Sequence, residues 1–240
     1  MKYPKSHLLR KQTGAGALID IDPNKRAVKF YGSIFDKIDS DGDYFERSAW
    51  DKTIQEQGPS GRNRVKWLRN HSMDHPVSKF KALYTDEKGL IAEAEIQQEL
   101  MSIDYIKDLF ILMDAGVIDE FSVGARLIKG EYNQDKQAYG IKEASLFEIS
   151  AVTLAAQEDA VLIDLKSLST DKIEHTLKQM SKAETLLRKG NLTDETCKEL
   201  EYMVLSWKNL FNSHKPNDDS LVPDAEQKQL MEIINELKSF

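Results

Sequence analysis

The sequence predicts an α+β fold: a β-barrel-like core with flanking helices, followed by an α-helical C-terminal tail. In the first two thirds of the chain, several short segments alternate apolar and polar residues, and one longer segment repeats apolar residues at helical spacing. After about residue 166 the alternation stops, and long amphipathic segments predict only helices. Short strands with one central helix are typical of a barrel or sandwich that has helices around it.

The alternating segments predict the strands of the core. In the clearest one, residues 120–127, apolar side chains share one face while Ser122, Gly124 and Arg126 share the other. Further strands are expected at residues 14–19, 27–35, 65–68, 80–84, 90–96 and 142–154, with a hairpin turn through residues 130–135. Helices are expected over residues 51–57 and 99–115, and Gly116 is well placed to end the second.

The same patterns divide the chain into an N-terminal arm, a core domain and a tail. The arm is the polar, basic segment 1–13, the core domain is residues 14–165, and the tail is residues 166–240. Within the tail we expect helices over residues 170–189, 193–211 and 223–240, and a polar linker at residues 214–222. A short helix after a polar linker needs something to pack against, which suggests a partner-binding tail.

Composition excludes several classes of function. The 240 residues carry a net charge of −7 and no long basic block, which argues against nucleic acid as a partner. The lone Cys197 excludes an internal disulfide and a multi-cysteine zinc site, and suits a reducing compartment. Neither a secretory signal nor an apolar run of the ~20 residues that span a bilayer is present, so we expect a soluble intracellular protein without membrane contact.

An Asp-rich loop at residues 36–43 suggests a calcium site, but the positions of its residues do not fit an EF-hand loop. With Gly42 at the sixth position of an EF-hand loop, the first position is Lys37 and the twelfth is Ser48, so the ligands are missing. The Asp41-Gly42 pair is better explained as a tight turn. We therefore expect neither a metal nor a cofactor.

Three separated segments carry residues that could support nucleophilic catalysis. Ser122 lies on a strand, His71 and His75 lie in a loop after the strand at residues 65–68, and Glu148 lies among apolar neighbours. A serine hydroxyl needs a base to become a nucleophile, and histidine titrates near neutrality. A carboxylate can orient the imidazole, and an acid in an apolar run is costly to bury unless it is paired. Taken alone, Ser122 and either histidine are better explained by ordinary strand and loop roles, and a glutamate at a sheet edge or barrel rim would also explain Glu148.

Taken together, four segments resemble the prohead (capsid maturation) protease family of tailed bacteriophages, which shares its fold with the herpesvirus assemblin proteases. They cover roughly residues 14–160 in the family's order. The resembling segments are residues 31–43, His71 with residues 76–79, residues 115–124, and residues 146–153. Departures from the family pattern occur at residues 47–50, where a Pro-Gly-Ala-Phe-like turn is usual, and at residues 76–79, which replace a commoner Pro-Ile-Gly-Lys.

The resemblance implies a serine endopeptidase with Ser122 as nucleophile, His71 as general base and Glu148 as third member. His71 is preferred to His75 on the family spacing to Pro76 alone. Arg126, on the Ser122 face of its strand, is a candidate for oxyanion or electrostatic support, or for pairing with a nearby acid.

The same resemblance implies a place and partners for the protein. Family members act within the viral procapsid in the host cell cytoplasm. They cut scaffold or major capsid protein segments and often themselves, and the herpesvirus relatives suggest a homodimer. Two alternatives stay open. One is a catalytically inactive scaffold or core protein that keeps the protease fold, and the other is a helical adaptor whose β-domain folds but has no activity.

Overall fold

The computed structural model describes residues 8–39, 42–152 and 170–213. Its strands are β1 Leu8–Asp22, β2 Ala27–Ile34, β3 Asp43–Phe45, β4 Lys66–Arg69, β5 Phe80–Thr85, β6 Gly89–Glu95, β7 Glu120–Asn133 and β8 Ala138–Val152. Its α-helices are α1 Asp51–Gln57, α2 Asp104–Asp114, α3 Thr170–Lys189 and α4 Asp194–Ser213, and a 3₁₀ turn at Gln98–Ser102 precedes α2. The chain divides into two units, Met1–Ala155 and Ala156–Phe240.

The first unit is built on one mixed sheet that curls into a half-barrel. Strand order is β3-β8-β7-β1-β2-β6-β5, and β4 also pairs with β8. Neighbours along this path are antiparallel, except that β3 and β4 both run parallel to β8. The α+β fold with a barrel-like core and C-terminal helices, expected from the sequence, is therefore confirmed.

The parallel pairing of β4 with β8 brings two distant chain segments side by side. Lys66 lies opposite Glu148, and Leu68 lies opposite Ser150. On its other edge β8 pairs with β7, so that Ser122 faces Ser150 and Gly124 faces Glu148. Strand β8 thus holds β4 and β7 on either side at the same level, and the loop that leaves β4 begins beside β8, one strand away from Ser122.

Aromatic side chains fill the core beneath this part of the sheet. The rings of Phe30 and Phe121 stack with centroids 3.7 Å apart and planes within 4° of parallel. Trp67 and Phe80 complete the cluster at 5.7 Å and 6.2 Å from Phe30. Phe30, Phe121 and Trp67 are fully buried, so the inward faces of β2, β4 and β7 are joined by one block of apolar contact.

The structure differs from the sequence prediction in its central helix. The single helix expected over residues 99–115 is interrupted at Ile103, whose extended backbone separates the 3₁₀ turn from α2. The Ser102 hydroxyl donates to the Glu99 carbonyl at 2.7 Å, the group that a continuous helix would offer to the Ile103 N–H. Apolar residues continue at helical spacing through Ile103, so the sequence pattern gave no sign of the interruption. Gly116, at φ 66°, follows the helix end as expected.

Strand β1 is longer than the sequence pattern indicated. Residues 8–13, assigned to the N-terminal arm, pair with β7 from Leu8 opposite Arg126 to Lys11 opposite Val123. The hairpin between β7 and β8 also turns later than expected, at residues 134–137 rather than 130–135. Residues 1–7 of the predicted arm lie outside the described residues.

In the second unit, α3 and α4 form a helical hairpin. Their buried side chains recur at helical spacing, and the innermost include Leu177, Met180, Ala183, Leu200 and Met203. Gly190, at φ 64°, follows α3, and the Thr193 hydroxyl accepts from the Thr196 N–H at the start of α4. The linker predicted at residues 214–222 and the helix predicted at residues 223–240 lie outside the described residues.

The aromatic block predicts a large loss of stability on truncation. Phe30→Ala should lower the free energy of unfolding by about 3–5 kcal/mol, because it removes a buried ring and leaves a cavity. Tyr132→Ala provides a control, since Tyr132 is 55% exposed and its loss should cost less than about 1 kcal/mol. Urea denaturation followed by tryptophan fluorescence measures both, and equal losses would show that the Phe30 cluster does not hold the sheet together.

Candidate active site

A strained turn carries the first functional side chain. Directly after β4, Asn70 and His71 both adopt left-handed backbone conformations, with φ of 50° and 56°. Such conformations are unfavourable for residues other than glycine and persist only where the surroundings hold them. Here the Asn70 N–H donates to the Ala151 carbonyl at 2.9 Å, and the His71 N–H donates to the Ser150 hydroxyl at 3.1 Å. The turn is therefore fixed to β8.

His71 contacts a buried carboxylate. Its Nδ1 lies 2.7 Å from Oε1 of Glu148, and the two side chains are 18% and 9% exposed. The second oxygen, Oε2, accepts a hydrogen bond of 2.6 Å from the Ser150 hydroxyl. An ionised carboxylate can only accept, so in the pair Nδ1 carries the proton. This leaves the Nε2 lone pair of a neutral His71 available as a base.

Gly124 provides the space for that carboxylate. A Cβ atom built on Gly124 would lie 2.1 Å from Oε1 of Glu148, the same oxygen that His71 contacts. The Glu148 side chain therefore crosses over β7 at this position, where any side chain larger than hydrogen would collide with it.

Ser122 lies on the same face of the sheet. It pairs directly with Ser150, so the two Cα atoms are about 4.5–5.5 Å apart and their side chains project on one side. Because Ser150 bonds both Glu148 and the His71 backbone, Ser122, His71 and Glu148 share that side. The sequence had suggested a polar outer face, but Ser122 is 1% exposed, so this face is covered as well.

His75 has different surroundings from His71. Its Nδ1 lies 2.9 Å from the Ser72 hydroxyl, and its ring meets the Tyr105 ring edge-on with centroids 4.8 Å apart. The Tyr105 hydroxyl donates to the Pro76 carbonyl at 2.8 Å, and burial raises the pKa of this phenol, which keeps it a donor. His75 thus fastens the loop to α2, whereas His71 is the loop histidine that contacts Glu148.

Arg126 stacks on an aromatic ring. Its guanidinium carbon lies 5.3 Å from the centroid of Phe147. Across from this position β8 advances from Glu148 to Leu146 while β7 advances only from Gly124 to Ala125, so Phe147 is the extra residue of a β-bulge. Arg126 is four residues from Ser122, about 13 Å along the strand at ~3.3 Å per residue. The guanidinium lies over Phe147, while the hydrogen bonds of Glu148 go to His71 and Ser150, so Arg126 and Glu148 do not form the pair that was left open as an alternative.

Two residues at this site were missed by sequence reasoning. Ser150 lies within the resembling segment 146–153 but was not predicted to have a role of its own. Gly124 was not predicted to contact Glu148. A signal for Ser150 was present, because residues two apart on a strand share a face, and Ser150 is two residues from Glu148. No sequence signal connects Gly124 with Glu148, since their contact depends on the pairing register of β7 and β8.

Two further observations concern the residues within 8–39, 42–152 and 170–213. Over these ranges, no group of three or more His, Cys, Asp and Glu side chains is arranged to hold a metal ion. Over the same ranges, no helix is long and apolar enough to cross a membrane.

Comparison with known proteins decides the family. The family model described as caudovirus prohead serine protease matches residues 19–179. The chain belongs to this family. It is also 30% identical to the prohead protease of Escherichia phage T5 over 153 residues, which are 63% of this chain and 69% of that protein.

Two further proteins are similar to this chain. The prohead protease of Enterobacteria phage HK97 is 30% identical over 140 residues, 58% of this chain and 59% of that protein. Among solved structures, the capsid assembly protease gp21 of bacteriophage T4 matches with a TM-score of 0.45 and 12% identity, covering 62% of this chain and 99% of that one. The family resemblance predicted from sequence is confirmed, and as a member of this family the chain is a serine peptidase.

The contact between Gly124 and Glu148 predicts the effect of a single added methyl group. Gly124→Ala should displace the Glu148 carboxylate from His71 and slow labelling by a fluorophosphonate, a covalent serine-hydrolase probe, by about 100-fold. Gly130→Ala is a matched control in the same strand, because its Cβ would meet Tyr139 and the Gly140 carbonyl far from His71. It should lower the melting temperature but keep the labelling rate of the folded protein. Equal labelling rates in both variants would contradict the assigned role of Gly124.

Proposed function

We propose that the chain is a serine endopeptidase that cuts scaffold and capsid-protein segments, and itself, within the immature capsid during maturation. In this proposal Ser122 is the nucleophile, His71 the general base and Glu148 the group that orients His71. The observation that carries it is the 2.7 Å contact between Nδ1 of His71 and a buried Glu148 carboxylate on the Ser122 face of the sheet. Burying an ionised carboxylate costs desolvation, which hydrogen bonds such as this one offset.

Acylation follows from the chemistry of these groups. The neutral imidazole of His71 takes the proton of the Ser122 hydroxyl at Nε2, while Oγ forms a bond to the scissile carbonyl carbon. Glu148 stabilises the resulting imidazolium through Nδ1–H. The imidazolium then gives its Nε2 proton to the amide nitrogen as the C–N bond breaks, which releases the amine product and leaves an acyl ester on Ser122.

Deacylation repeats the sequence with water. His71 takes a proton from water, the hydroxide attacks the ester carbonyl, and the proton passes to Oγ as the ester bond breaks. Both steps need donors for the developing oxyanion, each worth about 3 kcal/mol. We assign Arg126 an electrostatic role there rather than a direct one, because its guanidinium stacks on Phe147 and its strand position is four residues from Ser122.

The biological setting belongs to the same proposal. Phage scaffold and major capsid proteins are the proposed substrates and partners, and the procapsid in the host cell cytoplasm is the proposed location. The tail, residues 166–240, in which the sequence predicts helices, is proposed to deliver the protease to the scaffold. A homodimer is proposed on the family resemblance. Each of these rests on membership of the prohead protease family.

One observation favours the alternative of an inactive protease-fold scaffold protein. Ser122 is 1% exposed, so a peptide can reach its hydroxyl only after the covering groups move. An inactive assembly protein could keep such a closed face permanently, whereas an enzyme must open it.

A time course of intact masses separates the two functions. Purified wild type and Ser122→Ala are each incubated alone and with the phage's own scaffold and capsid proteins. Wild type should produce fragments, and Ser122→Ala should produce none, because loss of a serine nucleophile lowers kcat on the order of 10⁶-fold. The fragment termini would also show whether residues 214–222 contain a self-cleavage site.

Two outcomes would overturn the proposal. Identical intact masses for wild type and variant, with assembled partners present, would leave the inactive scaffold protein as the function. Fragments that persist unchanged in Ser122→Ala would move the nucleophile to another residue.

A further inference from the structure

Ser150 occupies the centre of the site without a part in the reaction scheme above. It is fully buried on β8, with Ser122 opposite it on β7 and Leu68 opposite it on β4. A buried hydroxyl normally satisfies its hydrogen bonds with one neighbour and the local backbone. This one connects two chain segments, because it bonds the backbone of the histidine turn and also the side chain of Glu148 on its own strand.

The two hydrogen bonds of Ser150 have opposite directions. Its hydroxyl accepts from the His71 N–H at 3.1 Å and donates to Oε2 of Glu148 at 2.6 Å. The first bond holds the backbone of a residue at φ 56°, a conformation that histidine does not adopt without support. The second holds the far oxygen of the carboxylate, so that Oε1 is the oxygen turned toward Nδ1.

We propose that Ser150 is a positioning residue, whose single hydroxyl sets the backbone of the base and the orientation of the carboxylate that holds its ring. The inference rests on the proposed function, since it assigns Ser150 a part in activating Ser122. Ser150 itself is not the nucleophile in this arrangement. Its proton is directed to Glu148, and its oxygen accepts from the His71 backbone.

The first test compares two buried serines in the full-length chain. Ser150→Ala should lower the maximal rate of fluorophosphonate labelling by roughly 10- to 100-fold while the probe's half-saturating concentration changes by less than about twofold. Ser33→Ala is the matched control, because Ser33 is 1% exposed and accepts from Trp50 Nε1 at 2.9 Å, on a strand that does not pair with β8. It should label at the wild-type rate even where its melting temperature falls.

A second readout follows the histidine itself. In ¹⁵N-labelled protein, the Nδ1 proton of His71 should give a resonance that Ser150→Ala moves upfield and exposes to faster exchange with water. Ser33→Ala should leave it in place. A purely structural role for Ser150 would lower stability without changing this resonance, and that result would overturn the inference.

A double variant tests whether Ser150 acts through Glu148. If it does, Glu148→Ala/Ser150→Ala should lose less labelling rate than the product of the two single losses. Losses that multiply would mean independent roles and would contradict the inference.

The outcomes also distinguish this inference from the proposed function. Wild-type labelling in Ser150→Ala, with none in Ser122→Ala, would reject only the positioning role. Labelling that survives in Ser122→Ala and disappears in Ser150→Ala would reject both, because it would make Ser150 the nucleophile.

Discussion

The buried carboxylate of Glu148 is the constraint on which the site depends. Taking a charge out of water is costly unless hydrogen bonds and a partner replace the lost solvation, and here both carboxylate oxygens are bonded. The two bonds require a turn that presents His71 and a serine on the same face of β8. The carboxylate also requires a glycine on β7, above which it can lie. These requirements explain why three segments far apart in sequence meet at one level of the sheet.

The fold meets these requirements through its strand order. Parallel pairing of β4 with β8 delivers the histidine turn beside Glu148, and antiparallel pairing of β7 with β8 delivers Ser122 and Gly124. On the opposite face, stacked aromatic rings fix the same strands to the core. The bulge at Phe147 lies next to Glu148, at the kind of position where bulges re-aim side chains in other sheets. Stability and site geometry therefore depend on the same register.

Sequence patterns predicted the elements better than their pairing. Alternation located most strands, and helical spacing located α1, α3 and α4 closely, because these patterns reflect burial on one face. The break at Ile103 was missed because apolar spacing continues through it, and the pairing of residues 8–13 was missed because polar strand residues carry no alternation. At the site, Ser122, His71 and Glu148 could be chosen from residue chemistry and family resemblance. Gly124 could not, since its contact with Glu148 exists only once the register of β7 and β8 is known. Ser150 could have been found from its two-residue spacing to Glu148, but its bond to the His71 backbone could not.

The central claim is that Glu148 holds His71 so that its Nε2 can activate Ser122. A crystal structure of the full-length chain after reaction with a fluorophosphonate tests it most directly. The account predicts one phosphonyl group, bonded to Ser122 Oγ, with Nε2 of His71 within hydrogen-bond distance of the adduct and Nδ1 still on Glu148. An adduct on another residue, or a His71 ring turned away from Ser122 with its Glu148 contact broken, would contradict it.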